Sequence, residues 1–187
     1  MPVYLLRHTT PNIDNAFCYG QTDVDVSGTF EEEFKNIIPK VDTLKIEKIY
    51  SSPLQRSAKL AEKIAERLRV KAIRDGRLKE LNYGQWELMK WSDILPTELN
   101  IWMQDFVNLR TPCGESYNQL YQRVNEFINS NDLNNALIIS HAGTMRSILC
   151  SLMNVPLNDS FKKFKIGYHQ VYEIDPANHS CKVLDIQ

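Results

Sequence analysis

Five residues of this chain, Arg7, His8, Arg56, Glu80 and His141, are of the types that together transfer a phosphoryl group. A phosphate monoester carries nearly two negative charges, and its transferring phosphoryl group spreads charge over three equatorial oxygens, so an enzyme working without a metal must supply fixed cations there. Arg7 and Arg56 suit this task because a planar guanidinium binds oxygens in a bidentate way and stays charged at any working pH; a protonated His141 would add a third positive group. His8 can attack phosphorus if it is neutral and one ring nitrogen is tied down as a donor, for which a backbone carbonyl in the following loop would serve. Glu80 is then placed to protonate the leaving alkoxide and, as a carboxylate, to take a proton from the water that hydrolyses the phosphoramidate. Singly, each residue has an ordinary explanation: a structural histidine, an exposed helix cation, a solvated glutamate.

What gives them joint meaning is the elements that must carry them. Val3-Tyr4-Leu5-Leu6 is a continuous apolar run, the pattern of a strand covered on both faces, and it delivers Arg7 and His8. Lys48-Ile49-Tyr50-Ser51 reads as a second strand. Ser52-Pro53-Leu54-Gln55 follows as an expected capping box with Ser52 as N-cap, leading Leu54, Ala58, Ala61, Ile64, Ala65 and Leu68 at helical spacing. Arg56 falls in that helix's first turn, where the positive helix end favours an anion. Lys71-Ala72-Ile73-Arg74 reads as a third strand running into the loop Leu78 to Glu87, which carries Glu80. Ala136-Leu137-Ile138-Ile139-Ser140 is the strongest buried-strand candidate and delivers His141, followed by a helix over Gly143 to Met153.

The remaining elements complete a scaffold. Phe30 to Pro39 carries a short helical pattern; Ser116 to Gln119 is a second capping box, ahead of Leu120, Tyr121, Val124, Phe127 and Ile128 on one helix face. Tyr168 to Ile174 and Lys182 to Ile186 alternate as strands near a sheet edge, joined by a turn at Asp175-Pro176-Ala177-Asn178. Strands alternating with helices predict an α/β fold: a three-layer α/β/α sandwich with a mostly parallel central sheet, in one domain over residues 1–187, with an aromatic-rich helical excursion at about 86–112. His8, Arg56 and His141 each lie just past a strand, on the C-terminal rim where such sheets bind ligands. Trp86, Trp91 and Trp102 read as packing residues, with the option that aromatics between Trp86 and Phe106 form a lid over an apolar or aromatic leaving group. His169 and His179 read as structural.

Four segments, Leu5-Leu6-Arg7-His8-Thr9-Thr10-Pro11, Ser51-Ser52-Pro53-Leu54-Gln55-Arg56-Ser57-Ala58, Leu78 to Glu87 and Ser140-His141-Ala142-Gly143, resemble in type and order the histidine phosphatase superfamily, and the likeness covers nearly the whole chain. The resemblance implies a phosphoglycerate mutase-like fold, with His8 as the nucleophile that becomes phosphohistidine, Arg7, Arg56 and His141 as the phosphoryl ligands, and Glu80 as the proton donor. Thr9 departs from the glycine that commonly follows the catalytic histidine. Arg7 to Pro11, with Cys18-Tyr19-Gly20-Gln21-Thr22-Asp23, is similar to the α-ribazole phosphatase subset, which acts late in cobalamin nucleotide-loop assembly; on that basis Thr9, Tyr19, Gly20 and Gln21 are candidate substrate contacts. The expected activity is metal-independent hydrolysis of α-ribazole 5′-phosphate. The alternatives are a broad-specificity small-metabolite or sugar phosphatase, a phosphoglycerate mutase-like enzyme, and a phosphate-binding scaffold module without turnover. The short chain argues against a mutase, Glu80 against a small phosphohistidine protein phosphatase, and the full set of five residues against a silent scaffold.

Composition sets outer bounds. A chain of 187 residues that is 43% hydrophobic can bury a full core. With 22 basic and 23 acidic residues, its net charge of -1 gives no pull toward nucleic acid or an anionic membrane, so the expected partner is a small phosphate monoester held by local charge. A homodimer is compatible with the sequence. The N-terminal apolar run is too short for a signal peptide, and nothing approaches a membrane span. Cys18, Cys113, Cys150 and Cys181 are scattered, without C-x-x-C or histidines at metal-ligand spacing, so reduced thiols, a cytoplasmic setting and no metal or cofactor are expected.

Overall fold

The computed structural model describes residues 1–184. In chain order its elements are β1 (Val3–Arg7), α1 (Phe30–Val41), β2 (Lys48–Ser51), α2 (Gln55–Leu68), β3 (Lys71–Arg74), α3 (Pro96–Gln104), α4 (Tyr117–Ser130), β4 (Ala136–Ser140), α5 (Ala142–Leu152), α6 (Ser160–Lys163), β5 (Val171–Asp175) and β6 (Ser180–Leu184). The strands form one six-stranded sheet in the order β3-β2-β4-β1-β5-β6. The first four are parallel, and β5 and β6 continue the sheet antiparallel.

Alternation along the strands sorts the core into two layers. Val3, Leu5, Tyr50 and Ile138 point to one face, where they meet Leu120, Val124 and Phe127 of α4 and Met145, Ile148 and Leu149 of α5. Tyr4, Leu6, Ile49, Leu137 and Ile139 point to the other and meet Ile37 and Val41 of α1 and Leu60 and Ile64 of α2. Because β1 and β4 are covered on both faces they read as unbroken apolar runs, and burial of each such side chain stabilises the sandwich by about 1.5–3 kcal/mol. The expected three-layer α/β/α architecture is the one found.

Register is what brings the strand ends together. Arg7 pairs with Ser140, and Ser51 with Ile139, so β1, β2 and β4 stop at the same level. The backbone N–H of His8 donates to the Ser140 carbonyl (3.0 Å) and that of Ser52 to the Ile139 carbonyl (3.0 Å), which extends the alignment one residue past each strand.

Local expectations differ from the structure in four places. The capping box at Ser116 forms as read, with Ser116 and Gln119 bonded reciprocally, but the one at Ser52 does not: α2 begins at Gln55 with no side-chain cap from its own segment. Its first N–H is met instead by Asp23, whose carboxylate accepts from the Gln55 backbone (2.7 Å) and side chain (3.3 Å). The strand expected from Tyr168 begins only at Val171, because His169 takes a left-handed conformation (φ 61°) that breaks the extended run. The final strand lies at Ser180–Leu184, and the expected continuation through Ile186 falls outside the described residues. Within the excursion only Pro96–Gln104 is α-helical, and none of its residues is buried.

Candidate active site

The aligned strand ends set His8 and His141 side by side, with ring centroids 5.0 Å apart. The His8 Nδ1–H donates to the carbonyl of Thr9 (2.7 Å), which leaves Nε2 with the lone pair, as a nucleophilic imidazole requires. His141 is fixed through Nε2, 2.8 Å from the Ser52 hydroxyl. That hydroxyl oxygen also accepts from the Leu54 N–H (3.3 Å), and when it gives its own proton to Nε2 the neutral ring carries its proton on Nδ1. Both imidazoles are almost wholly buried. Burial, then the nearby Arg56 guanidinium, holds each well below the usual imidazole range, with further contributions from Arg7. In the free protein the same burial and guanidinium neighbours favour the neutral His141 ring.

The two arginines are built alike. Arg56 is fully buried in the first turn of α2, with Nη1 donating to the Thr22 carbonyl (2.8 Å) and Nη2 to the Gly20 carbonyl (2.7 Å). Arg7 donates from Nη1 to the Ile166 carbonyl (3.3 Å) and from Nη2 to the Tyr168 hydroxyl (3.0 Å). In both, Nε is buried with no hydrogen-bond partner in the protein, and the same is true of His141 Nδ1.

Glu80 approaches from the loop after β3. Its carboxylate accepts from the N–H groups of Leu81 (2.9 Å), Gly143 (2.9 Å) and Thr144 (3.2 Å), the last two at the start of α5. Gly143 is needed for this approach, since a Cβ there would lie 2.5 Å from a Glu80 carboxylate oxygen. The loop itself is pinned by Arg123, which donates to the carbonyls of Arg77 (2.6 Å), Lys79 (2.7 Å) and Glu80 (2.8 Å) and pairs with Glu115 (2.6 Å).

Arg7, His8, Arg56, Glu80 and His141 all line one cleft of about 250 Å³, whose other lining residues include Phe17, Tyr19, Trp91, Trp102, Phe106, Arg146 and Phe161. Of the four further substrate contacts expected from sequence, Tyr19 alone lines this cleft. Thr9 contributes its carbonyl to His8 while its side chain is buried. Gly20 contributes a carbonyl to Arg56, and Gln21 donates to the Glu80 carbonyl (3.0 Å). Trp86 is core, whereas Trp91 and Trp102 face the cleft.

Several contributors escaped the sequence reading. Ser52 holds His141; Arg123 holds the Glu80 loop; and Glu87, accepting from the N–H groups of Gln21 (2.7 Å) and Tyr83 (3.2 Å) and bonding Thr22, ties the loop that carries the Arg56 acceptors. Tyr168 covers Arg7, and Arg146 stacks on Phe161 with its guanidinium carbon 4.3 Å from the ring centroid. Among the described residues no group of three or more histidine, cysteine or acidic side chains is placed to hold a metal ion, and no helix is long and apolar enough to cross a membrane.

Comparison with known proteins agrees with this geometry. Residues 3–187 match the histidine phosphatase superfamily, branch 1. The chain is 27% identical to the putative phosphoserine phosphatase 2 of Hydrogenobacter thermophilus, over 84% of this chain and 81% of that one. It is 32% identical to the probable phosphoglycerate mutase GpmB of Escherichia coli, over 83% of this chain and 76% of that one. Its fold superposes on the α-ribazole phosphatase from Shigella flexneri with a TM-score of 0.86, covering 100% of this chain and 96% of that one at 19% identity. The chain belongs to branch 1 of the histidine phosphatase superfamily and is a phosphoric monoester hydrolase.

Proposed function

We propose that the protein is a metal-independent phosphomonoesterase that works through a phosphohistidine on His8. The observation that carries this reading is the convergence on one cleft of His8, with Nδ1 tied to a carbonyl, and of Arg7, Arg56 and His141, whose buried Arg7 Nε, Arg56 Nε and His141 Nδ1 have no partner in the protein. Buried donors without acceptors are rare in folded proteins, and a phosphoryl group offers three oxygens to satisfy them. His8 Nε2 forms a bond to phosphorus as the ester P–O bond breaks, and the departing alkoxide takes a proton from Glu80. Water then attacks phosphorus and gives its proton to the Glu80 carboxylate. The P–N bond breaks, and His8 and inorganic phosphate are regenerated.

The leaving alcohol we infer is one that carries an aromatic base, and α-ribazole 5′-phosphate is the substrate that fits best. The aromatic wall supports this: Tyr83, Trp91, Trp102, Phe106 and Phe161 touch one another in edge-on contacts beside the phosphate ligands, a surface suited to stacking. Arg146 supports a second reading, a small phosphorylated acid such as phosphoserine or 3-phosphoglycerate, because a guanidinium on the cleft wall suits a carboxylate. Ranking kcat/KM for α-ribazole 5′-phosphate, phosphoserine, 3-phosphoglycerate and sugar phosphates decides between them. A preference for α-ribazole 5′-phosphate is expected; a strong preference for either acid overturns the assignment of the alcohol.

A further inference from the structure

We propose that Tyr168 is a positioning residue that holds Arg7 in its phosphoryl-binding orientation, braced from behind by the Glu33–His169 pair. The proposal rests on the reading of Arg7 as a phosphoryl ligand given above. The Arg7 guanidinium carbon lies over the Tyr168 ring, 3.9 Å from its centroid, and the Tyr168 hydroxyl accepts from Nη2 at 3.0 Å. The same ring meets His8 edge-on at 5.7 Å. With Nη1 donating to the Ile166 carbonyl, both terminal nitrogens are engaged by the protein, while Nε has no protein partner and the residue lines the cleft. A guanidinium that is stacked and anchored twice has its rotamers restricted before substrate arrives, so less freedom is lost on binding.

The brace explains why Tyr168 stays there. His169, in its left-handed conformation, puts Nε2 2.6 Å from a Glu33 carboxylate oxygen, and that same oxygen accepts from the Thr10 N–H at 2.9 Å. Glu33 lies on α1 and is 5% exposed. One buried carboxylate thus joins α1, the loop two residues beyond His8, and the residue next to Tyr168. On the opposite flank Arg56 has a looser counterpart in Tyr19, whose ring lies 5.5 Å from the guanidinium carbon and whose hydroxyl is 3.5 Å from that of Tyr168. A residue there for packing alone would need no hydroxyl aimed at an arginine and no carboxylate tether on its neighbour.

A double-mutant cycle read by orthovanadate inhibition tests this. Y168A is expected to weaken vanadate about tenfold and Y168F about threefold, the scale of a lost hydrogen bond to a charged group with or without the stack. In an R7A background neither substitution weakens vanadate further, because the group they act through is gone. E33Q, with its brace weakened, is expected to show a smaller loss that likewise disappears with Arg7. Equal losses in the wild-type and R7A backgrounds, or an unchanged inhibition constant for Y168A and Y168F, overturn the positioning role. If Y168A does not fold, the R7A/Y168F cycle, which removes one oxygen, decides the question in the same way. Coupling lost while turnover still depends on His8 sinks this proposal alone; turnover surviving His8→Ala sinks the reading of the site and appears in a separate measurement.

Discussion

On one side of the cleft, His8, Arg56 and His141 stand just past the ends of β1, β2 and β4, buried and anchored to backbone carbonyls or to Ser52. On the other, Trp91, Trp102 and Phe106 come from a connection whose helix, α3, buries none of its residues and leaves Leu95, Ile101 and Met103 about 60% exposed. The first side inherits its geometry from sheet register, so it can change only if the sheet changes. The second joins the main core through Val107, Trp102 and Phe106 and is otherwise held by contacts among its own aromatics and a small cluster around Cys18, Trp86 and Ile94, with no strand register behind it. On the function proposed above, phosphoryl chemistry belongs to the side set by the sheet and choice of leaving alcohol to the other.

Removing the proposed general acid should break the comparison most. Glu80→Gln is expected to slow hydrolysis of alkyl phosphates by about 10²–10⁴-fold but to slow p-nitrophenyl phosphate far less, since that leaving group needs little protonation. Equal losses on both substrates would move Glu80 into a binding or structural role. Arg56→Lys comes next. A lysine has all its donors on one nitrogen and cannot reproduce the guanidinium's separate Nη1, Nη2 and Nε positions, so kcat/KM should fall about 10²-fold on every substrate alike, the scale of one lost donor. A substrate-dependent loss would place Arg56 on the alcohol side.

Trp102→Ala probes the other side. It should raise KM about three- to tenfold for aromatic alcohols while leaving inhibition by inorganic phosphate unchanged, as loss of one stacking surface predicts. A weakened phosphate inhibition would show that the two walls are not separable.

The buried imidazoles yield the smallest effect. In the unfolded chain His8 and His141 protonate near pH 6.5, but in the fold only well below it, so stability present above that pH is lost as the pH falls through and below it. The loss is at most about 1.4 kcal/mol per pH unit for each ring. Urea midpoints at pH 7.5 and 5.5 should therefore differ less in His141→Gln than in wild type; the same difference in both would contradict a neutral, buried His141.

How much of this was legible in sequence depended on whether the determining contact was local. The strand at Ala136–Ser140 and the capping box at Ser116 were readable because burial on both faces and a three-residue reciprocal bond leave their marks within a few positions. The box at Ser52 carried the same local pattern and misled: the Ser52 hydroxyl is claimed by His141, 89 positions on, and Asp23, 32 positions earlier, caps the helix. Arg7, His8, Arg56, Glu80 and His141 were found through their motif neighbours. Glu33, Arg123, Tyr168 and His169 were not, because a glutamate among glutamates, an arginine on an amphipathic helix and an aromatic before a strand look like solvated or packed residues until the fold sets them against the site.

The central claim is a covalent bond between phosphorus and His8. Rapid quench in alkali of wild type mixed with ³²P-labelled substrate, followed by peptide mapping, tests it directly. The account predicts an acid-labile, alkali-stable label on His8 that forms and decays at catalytically competent rates and is absent from His8→Ala. No label at any quench time, or a label on another residue in the active protein, would contradict it.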